Sequence, residues 1–92
     1  MMLSTASVAR ARETVARLLD DMGLDAYLFE LEPGDGDWQL HLECAARDGW
    51  SRLTVGLDAE AVEQAAEDAA AFARLRARCE GACGACKRAG AS

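Results

Sequence analysis

The chain has 92 residues, 51% of them hydrophobic, which suffices for one small domain with a core and argues against wholesale disorder. Its formal net charge of −6 argues against a protein that covers nucleic acid or an anionic membrane with its whole surface. There is no apolar run near the roughly 18–20 residues of a transmembrane helix, nor a leading apolar segment of about 7–15 residues, so we expect a cytoplasmic protein.

Residues 5–22 have the apolar spacing of an amphipathic helix, which ends at Gly23. The apolar side chains share one face: Val8, Ala11, Val15, Leu18, Leu19 and Met22. Asp20 and Asp21 lie near the negative end of the helix dipole, which costs about a few tenths of a kcal/mol each at an exposed site. This cost is too small to overturn the prediction of a helix.

Three segments of alternating polarity predict strands at 26–32, 38–45 and 51–57, joined by turns at 33–36 and 46–49. With turns of this length, antiparallel pairing places the apolar sets on one side of a three-stranded meander. The predicted opposite pairs are Leu31 with Trp38, Phe29 with Leu40, Leu42 with Leu53, and Leu40 with Val55. By parity the other face, open to water or to a partner, carries Leu28, Glu30, Gln39, His41, Glu43, Trp50, Arg52 and Thr54.

A second helix is predicted to start at its N-cap, Asp58, and to stop at Gly81. Its predicted buried stripe consists of Val62, Ala65, Ala66, Ala69, Phe72 and Ala73. The fold class is therefore α+β, a single small domain of order α-β-β-β-α over residues 1–80, with both helices on one face of the antiparallel sheet. Residues 81–92 are predicted to form a short flexible basic tail rich in Gly, Ala and Cys.

The charge is unevenly distributed along the chain. Residues 1–73 carry 5 basic and 15 acidic side chains, whereas residues 74–92 carry 5 basic and 1 acidic. Arg74, Arg76 and Arg78 suit the negative end of the second helix, so their charge requires no further function. The part of the cationic end that still needs an explanation is the cysteine-bearing segment after them.

Cys79, Cys83 and Cys86 form a C-x3-C-x2-C run, and the only other cysteine is Cys44. Thiolates are soft donors, so we expect this run to bind zinc or an iron–sulfur cluster, with Cys44, His41 or an outside ligand completing the set. The alternatives are thiol redox chemistry and a helix end whose thiols have no specific role. In a cytoplasmic protein we expect these cysteines to serve as ligands, redox groups or core residues rather than as disulfides.

Trp50 lies at the start of an edge strand with outward parity, where its large amphipathic ring can anchor a partner. The alternative is that the ring folds over the sheet edge or tucks under a terminus. Leu28, His41 and Arg52 share the open face and complete the predicted partner-binding surface. The single histidine is more typical of a solvated side chain than of a catalyst, and the sequence has no activated serine or phosphate-binding glycine loop, so no enzyme is predicted.

The α-β-β-β-α order is similar to that of double-stranded RNA-binding domains. Those domains use lysine and arginine at the start of the second helix to contact phosphates. This chain has Asp58, Glu60 and Glu63 there, so the resemblance covers topology alone and implies no nucleic-acid binding.

Two functional hypotheses follow from these features. The first is a non-enzymatic cytoplasmic accessory protein whose C-terminal thiolates hold zinc or an iron–sulfur centre. The alternative is a metal-free interaction module, adaptor-like or chaperone-like, whose partner docks on the open face around Trp50 or extends an edge strand. In either case the expected partner is another protein or a second copy of this chain, and neither nucleic acid nor membrane.

Overall fold

A computed structural model describes residues 5–88 of the chain. Three helices and three strands follow one another in the order α-β-β-β-α-α. Their bounds are α1 Thr5–Asp21, β1 Tyr27–Pro33, β2 Asp37–Ala46, β3 Gly49–Asp58, α2 Ala59–Ala65 and α3 Ala69–Ala82. The predicted α+β class and the antiparallel sheet of order β1-β2-β3 are confirmed. No helix among these residues is long and apolar enough to cross a membrane.

The core forms between the helices and one face of the sheet. Helix α1 buries the face that its apolar spacing predicts, and Thr14 is buried beside it. The central strand contributes four fully or almost fully buried side chains, Trp38, Leu40, Leu42 and Cys44. Burial of one such large apolar side chain contributes about 1.5–3 kcal/mol to folding, so this strand and α1 provide much of the stability of the domain.

The β1–β2 pairing differs from the prediction by two residues. Leu31 pairs with Leu40, and Phe29 pairs with Leu42. The reason is a tighter turn: the Gly34 amide donates to the Asp37 carbonyl at 2.8 Å, so the loop is shorter than the four residues expected. Gly36 in this loop has a φ of 81°, a conformation that glycine adopts without strain. Because a shift of two residues preserves parity, every side chain stays on its predicted face.

The β2–β3 pairing is confirmed, with Leu42 opposite Leu53 and Leu40 opposite Val55. The N-cap of α2 is confirmed too, since the Asp58 carboxylate accepts from the Ala61 amide at 3.0 Å.

The predicted second helix is interrupted, and the structure contains two helices, α2 and α3. Asp68 has an extended backbone and caps α3, accepting from the Ala70 amide at 3.3 Å. The buried stripe is confirmed at Val62 and Ala65, Ala66 and Phe72 are half-buried, and the prediction is wrong at Ala69 and Ala73, which are exposed. The residues that α3 buries instead are Ala71, Leu75 and Cys79.

Helix α3 is joined to α1 by a cation–π contact and an ion pair. The Arg17 guanidinium lies 5.2 Å from the centre of the half-buried Phe72 ring. Arg76 forms an ion pair with Asp21 at 2.8 Å and a second with Glu80 at 3.2 Å. These contacts place a cation beside the C-terminal end of α1, which offsets the unfavourable charge of its last turn.

The segment after α3 lies against the sheet as far as the structure describes it. The Lys87 amide donates to the Ala45 carbonyl at 2.7 Å, and the Lys87 carbonyl accepts from the Asp25 amide at 2.9 Å. The Arg88 guanidinium donates to the Met22 carbonyl at 2.9 Å. The predicted boundary at residue 80 and the flexibility of the tail stay predictions, and residues 89–92 lie outside the described part.

Candidate functional site: the open sheet face and its edges

The four cysteines do not form the predicted metal site. Cys44 and Cys86 are joined in a disulfide, with their Cα atoms 5.6 Å apart. Cys79 and Cys83 are free thiols without exposed surface. Among residues 5–88 no group of three or more His, Cys, Asp or Glu side chains is arranged to hold a metal ion. The hypothesis of a zinc or iron–sulfur site is therefore wrong, because the disulfide consumes two of the expected ligands.

The remaining two thiols are poor ligands and poor nucleophiles. Burial, with a smaller contribution from Cys83, raises the pKa of Cys79 to about 11 from its ordinary value of 9.0. Burial also raises the pKa of Cys83, although the nearby Arg88 opposes the shift. Burial therefore disfavours the thiolate of both residues, which is the form that metal binding and disulfide exchange require.

His41 lies on the opposite face of the sheet from Cys44, so it is not positioned to complete a thiolate site. Its Nδ1 is 3.3 Å from the Thr54 hydroxyl, and its Nε2 is 3.8 Å from the Glu32 carboxylate. The side chain is exposed and shares these polar neighbours with solvent. This is the environment of a solvated histidine.

The open face is arranged in cross-strand rows. One row consists of Leu28, Glu43 and Arg52, and the next consists of Glu30, His41 and Thr54. Arg52 and Glu43 lie opposite one another as predicted, with 3.8 Å between their charged atoms. An exposed pair of this kind contributes at most about 1 kcal/mol, so its role is mainly to set the charge pattern of the face.

One end of this face is apolar, and we define the apolar end by Leu28, Ala45 and Trp50. Leu28 is 66% exposed and Trp50 is 62% exposed. Ala45 pairs with Trp50 across β2 and β3, and Leu28 lies one row further on β1. An exposure of 62% leaves most of the Trp50 ring accessible to a partner. Neighbouring exposed apolar side chains of this size are typical of interaction surfaces.

The two edges of the sheet are unlike. On the β3 side, the Arg78 guanidinium of α3 donates to the Gly56 carbonyl at 3.1 and 3.3 Å, so one outward backbone group of this edge is bonded by a helix side chain. Strand β1 forms the other edge, and within residues 5–88 it pairs only with β2. Sequence reasoning missed the contact on the β3 side, because Arg78 and Gly56 are 22 residues apart and no local pattern predicts their pairing.

A cleft of about 700 Å³ opens between α1, the β1–β2 turn and α2, at the end of β2 opposite to Cys44. Trp38 and Val62 contribute apolar surface to it. Its charged lining residues are Arg10, Asp35, Asp37, Glu60 and Glu63. Of the residues that the structure describes, no histidine, cysteine or lysine lines the cleft.

Comparisons with protein-family models, with curated proteins and with solved structures found no match. The function must therefore be inferred from the geometry of the open face, its edges and the cysteines.

Proposed function

We propose that the protein is a non-enzymatic binding module for another protein, which docks on the open sheet face around the apolar end. The observation that carries this proposal is the exposure of Leu28 and Trp50 in neighbouring rows of one face. Tryptophan supplies a large contact area at a low cost in conformational entropy and is enriched among the residues that dominate binding energy. An antiparallel sheet with one face on the core presents such residues on its other face without rearrangement.

The charge beside the apolar end favours a basic partner over a second copy of this chain. Glu30, Glu32 and Glu43 lie on the open face. In the three cross-strand rows that contain these carboxylates, Arg52 is the single arginine or lysine. Two such faces brought together would place carboxylates near carboxylates, and like charges in an interface weaken binding. Lysine or arginine on a partner would instead complement them.

The disulfide bears on the compartment in which this binding takes place. Structural disulfides persist in oxidising compartments and are rare in the cytosol. The Cys44–Cys86 bond therefore supports a non-reducing location, contrary to the cytoplasmic location expected from the sequence. If reduced protein unfolds at the same denaturant concentration as oxidised protein, this reason for a non-reducing location disappears.

Quantitative affinity capture tests the binding proposal with Trp50→Ala, Leu28→Ala and, as a control, Arg74→Ala. Arg74 is exposed on α3, away from the open face. We expect one captured protein to be retained by the control and reduced at least about tenfold by Trp50→Ala, the loss typical of a side chain at the centre of an interface. Identical captured sets for all variants would contradict the proposal. If Trp50→Ala instead dissociates a dimer of this chain, the partner is a second copy of the chain and not another protein.

A further inference from the structure

Strand β1 presents unpaired backbone groups at the edge of the sheet. The Ala45 amide donates to the Ala26 carbonyl at 2.9 Å, and the Gly34 amide donates to the Asp37 carbonyl at 2.8 Å. Since hydrogen-bonded pairs alternate along an antiparallel ladder, the residues of β1 between these two bonds that pair with β2 are the even-numbered ones. Tyr27, Phe29 and Leu31 must direct their N–H and C=O groups outward, and within residues 5–88 nothing bonds to them.

The side chains of the same three residues are only partly covered. Tyr27, Phe29 and Leu31 point to the core side and are half-buried, whereas Leu40 and Leu42 on the neighbouring strand have no exposed surface. The three β1 side chains pack against the edge of the core, with Asp20 of α1 near Tyr27, whereas β2 and β3 are in addition contacted by helix α2. An additional strand beside β1 would bond to the outward groups and cover these side chains together.

The side chains of β1 on the open face indicate which side chains such a strand should have. Leu28, Glu30 and Glu32 are exposed there at alternating positions. A strand that pairs with β1 places every second side chain beside these residues, so basic side chains would meet the two carboxylates. Pairing of β1 with β1 of a second copy would instead bring the carboxylates of Glu30 and Glu32 close together, which disfavours self-association at this edge.

We propose that β1 accepts an extended segment of the partner protein as a fourth strand, and that this segment alternates apolar residues with lysine or arginine. The apolar side chains pack on Tyr27, Phe29 and Leu31, and the basic ones face Glu30 and Glu32. This inference rests on the proposed binding function and names the chemistry of its partner. Main-chain hydrogen bonds supply the affinity in strand addition, and the alternate side chains supply the specificity.

Amide hydrogen exchange of the oxidised protein, followed residue by residue by NMR, tests this inference. The probe is a capped peptide of alternating valine and lysine, long enough to pair with all of β1, and the matched control peptide has glutamate in place of lysine. At a peptide concentration of about ten times Kd, we expect exchange at Phe29 and Leu31 to slow about tenfold. The glutamate peptide should leave both amides unprotected. No protection by the lysine peptide, or equal protection by both, would overturn the inference.

A charge-reversed variant and Trp50→Ala complete the experiment. Glu30→Lys combined with Glu32→Lys should reverse the preference of β1 between the two peptides. The glutamate peptide should then protect the amides, and the lysine peptide should not. Trp50→Ala should retain protection by the lysine peptide, because Trp50 lies on β3 at the far side of the sheet. If the lysine peptide protects β1 but Trp50→Ala loses no captured protein, the proposed function is contradicted and the strand addition is not. If a captured protein depends on Trp50 but leaves the β1 amides unprotected, the strand addition is contradicted and the proposed function is not.

Discussion

The Cys79 thiol lies in a site that opposes its ionisation. It has no exposed surface, and its pKa of about 11 lies above the ordinary value of 9.0, first because of burial and second because of Cys83. The unfolded chain therefore loses this proton at a lower pH than the folded chain. The stability that this site provides is present well below pH 9.0 and is lost as the pH rises through about 11.

This linkage predicts a pH-dependent difference between the wild type and Cys79→Ala. We expect the free energy of unfolding of the wild type to fall by about 2 kcal/mol more than that of the variant between pH 9.0 and 11. The cavity left by alanine costs the same at each pH, so it does not contribute to the change. Denaturant unfolding in this range measures it, and parallel curves for the two proteins would show that Cys79 ionises as an exposed thiol does.

At the scale of elements, the interruption between α2 and α3 shows where sequence patterns stop being decisive. Asp58 is recognisable as a cap because it follows a strand, whereas Asp68 lies within a run of alanines that could continue as helix. Polar residues at such a site suit a solvated helix face or a cap equally well. The choice is made by packing, since the interruption lets Leu75 and Cys79 reach the core.

The cap at Asp68 can be tested by substitution. Asp68→Ala removes the acceptor for the Ala70 amide, and loss of an N-cap typically costs about 1 kcal/mol. The matched control is Glu67→Ala, which changes an exposed acidic neighbour that caps no helix. Chemical denaturation should show the loss for the Asp68 variant alone. Equal stability of the two variants would mean that the interruption does not depend on this cap.

Side-chain alternation predicts the two faces of the sheet but not the register of its strands. The two faces were predictable, because side-chain alternation alone assigns Leu28, Trp50 and Leu40 to a face. The β1–β2 register was not, since pairings that differ by two residues bury the same side chains and only the turn geometry at Gly36 distinguishes them. The partner-binding role of the open face stays a prediction.

For the whole molecule, the disulfide was the feature least accessible from the sequence. Cys44 and Cys86 are 42 residues apart, and their contact depends on the path of β3, α2 and α3 between them. The expectation of a reducing compartment also pointed away from this bond. By contrast, the uneven charge was visible in the sequence, and the structure shows part of it paired within the molecule, with Arg76 on Asp21 and Arg88 on Glu80.

Reduction of the disulfide should destabilise the whole domain. A bond that closes a loop of this length contributes about 2–4 kcal/mol by restricting the unfolded chain, so we expect the free energy of unfolding to fall by that amount in the presence of a dithiol reductant. The midpoint of denaturant unfolding, measured with and without reductant, reports the change. The double variant Cys44→Ala, Cys86→Ala is the control, and its midpoint should not respond to reductant.

The Cys44–Cys86 bond also gives the molecule a covalent ring that contains β3, α2 and α3, while α1 and β1 lie outside it. A peptide bond cleaved inside the ring, for example at the exposed Arg47, leaves two fragments that remain one molecule. Cleavage in the segment between α1 and β1 releases α1 from everything except its noncovalent contacts. Fragments cleaved within the ring, on the C-terminal side of Cys44, thus stay covalently joined, whereas fragments cleaved on its N-terminal side can separate.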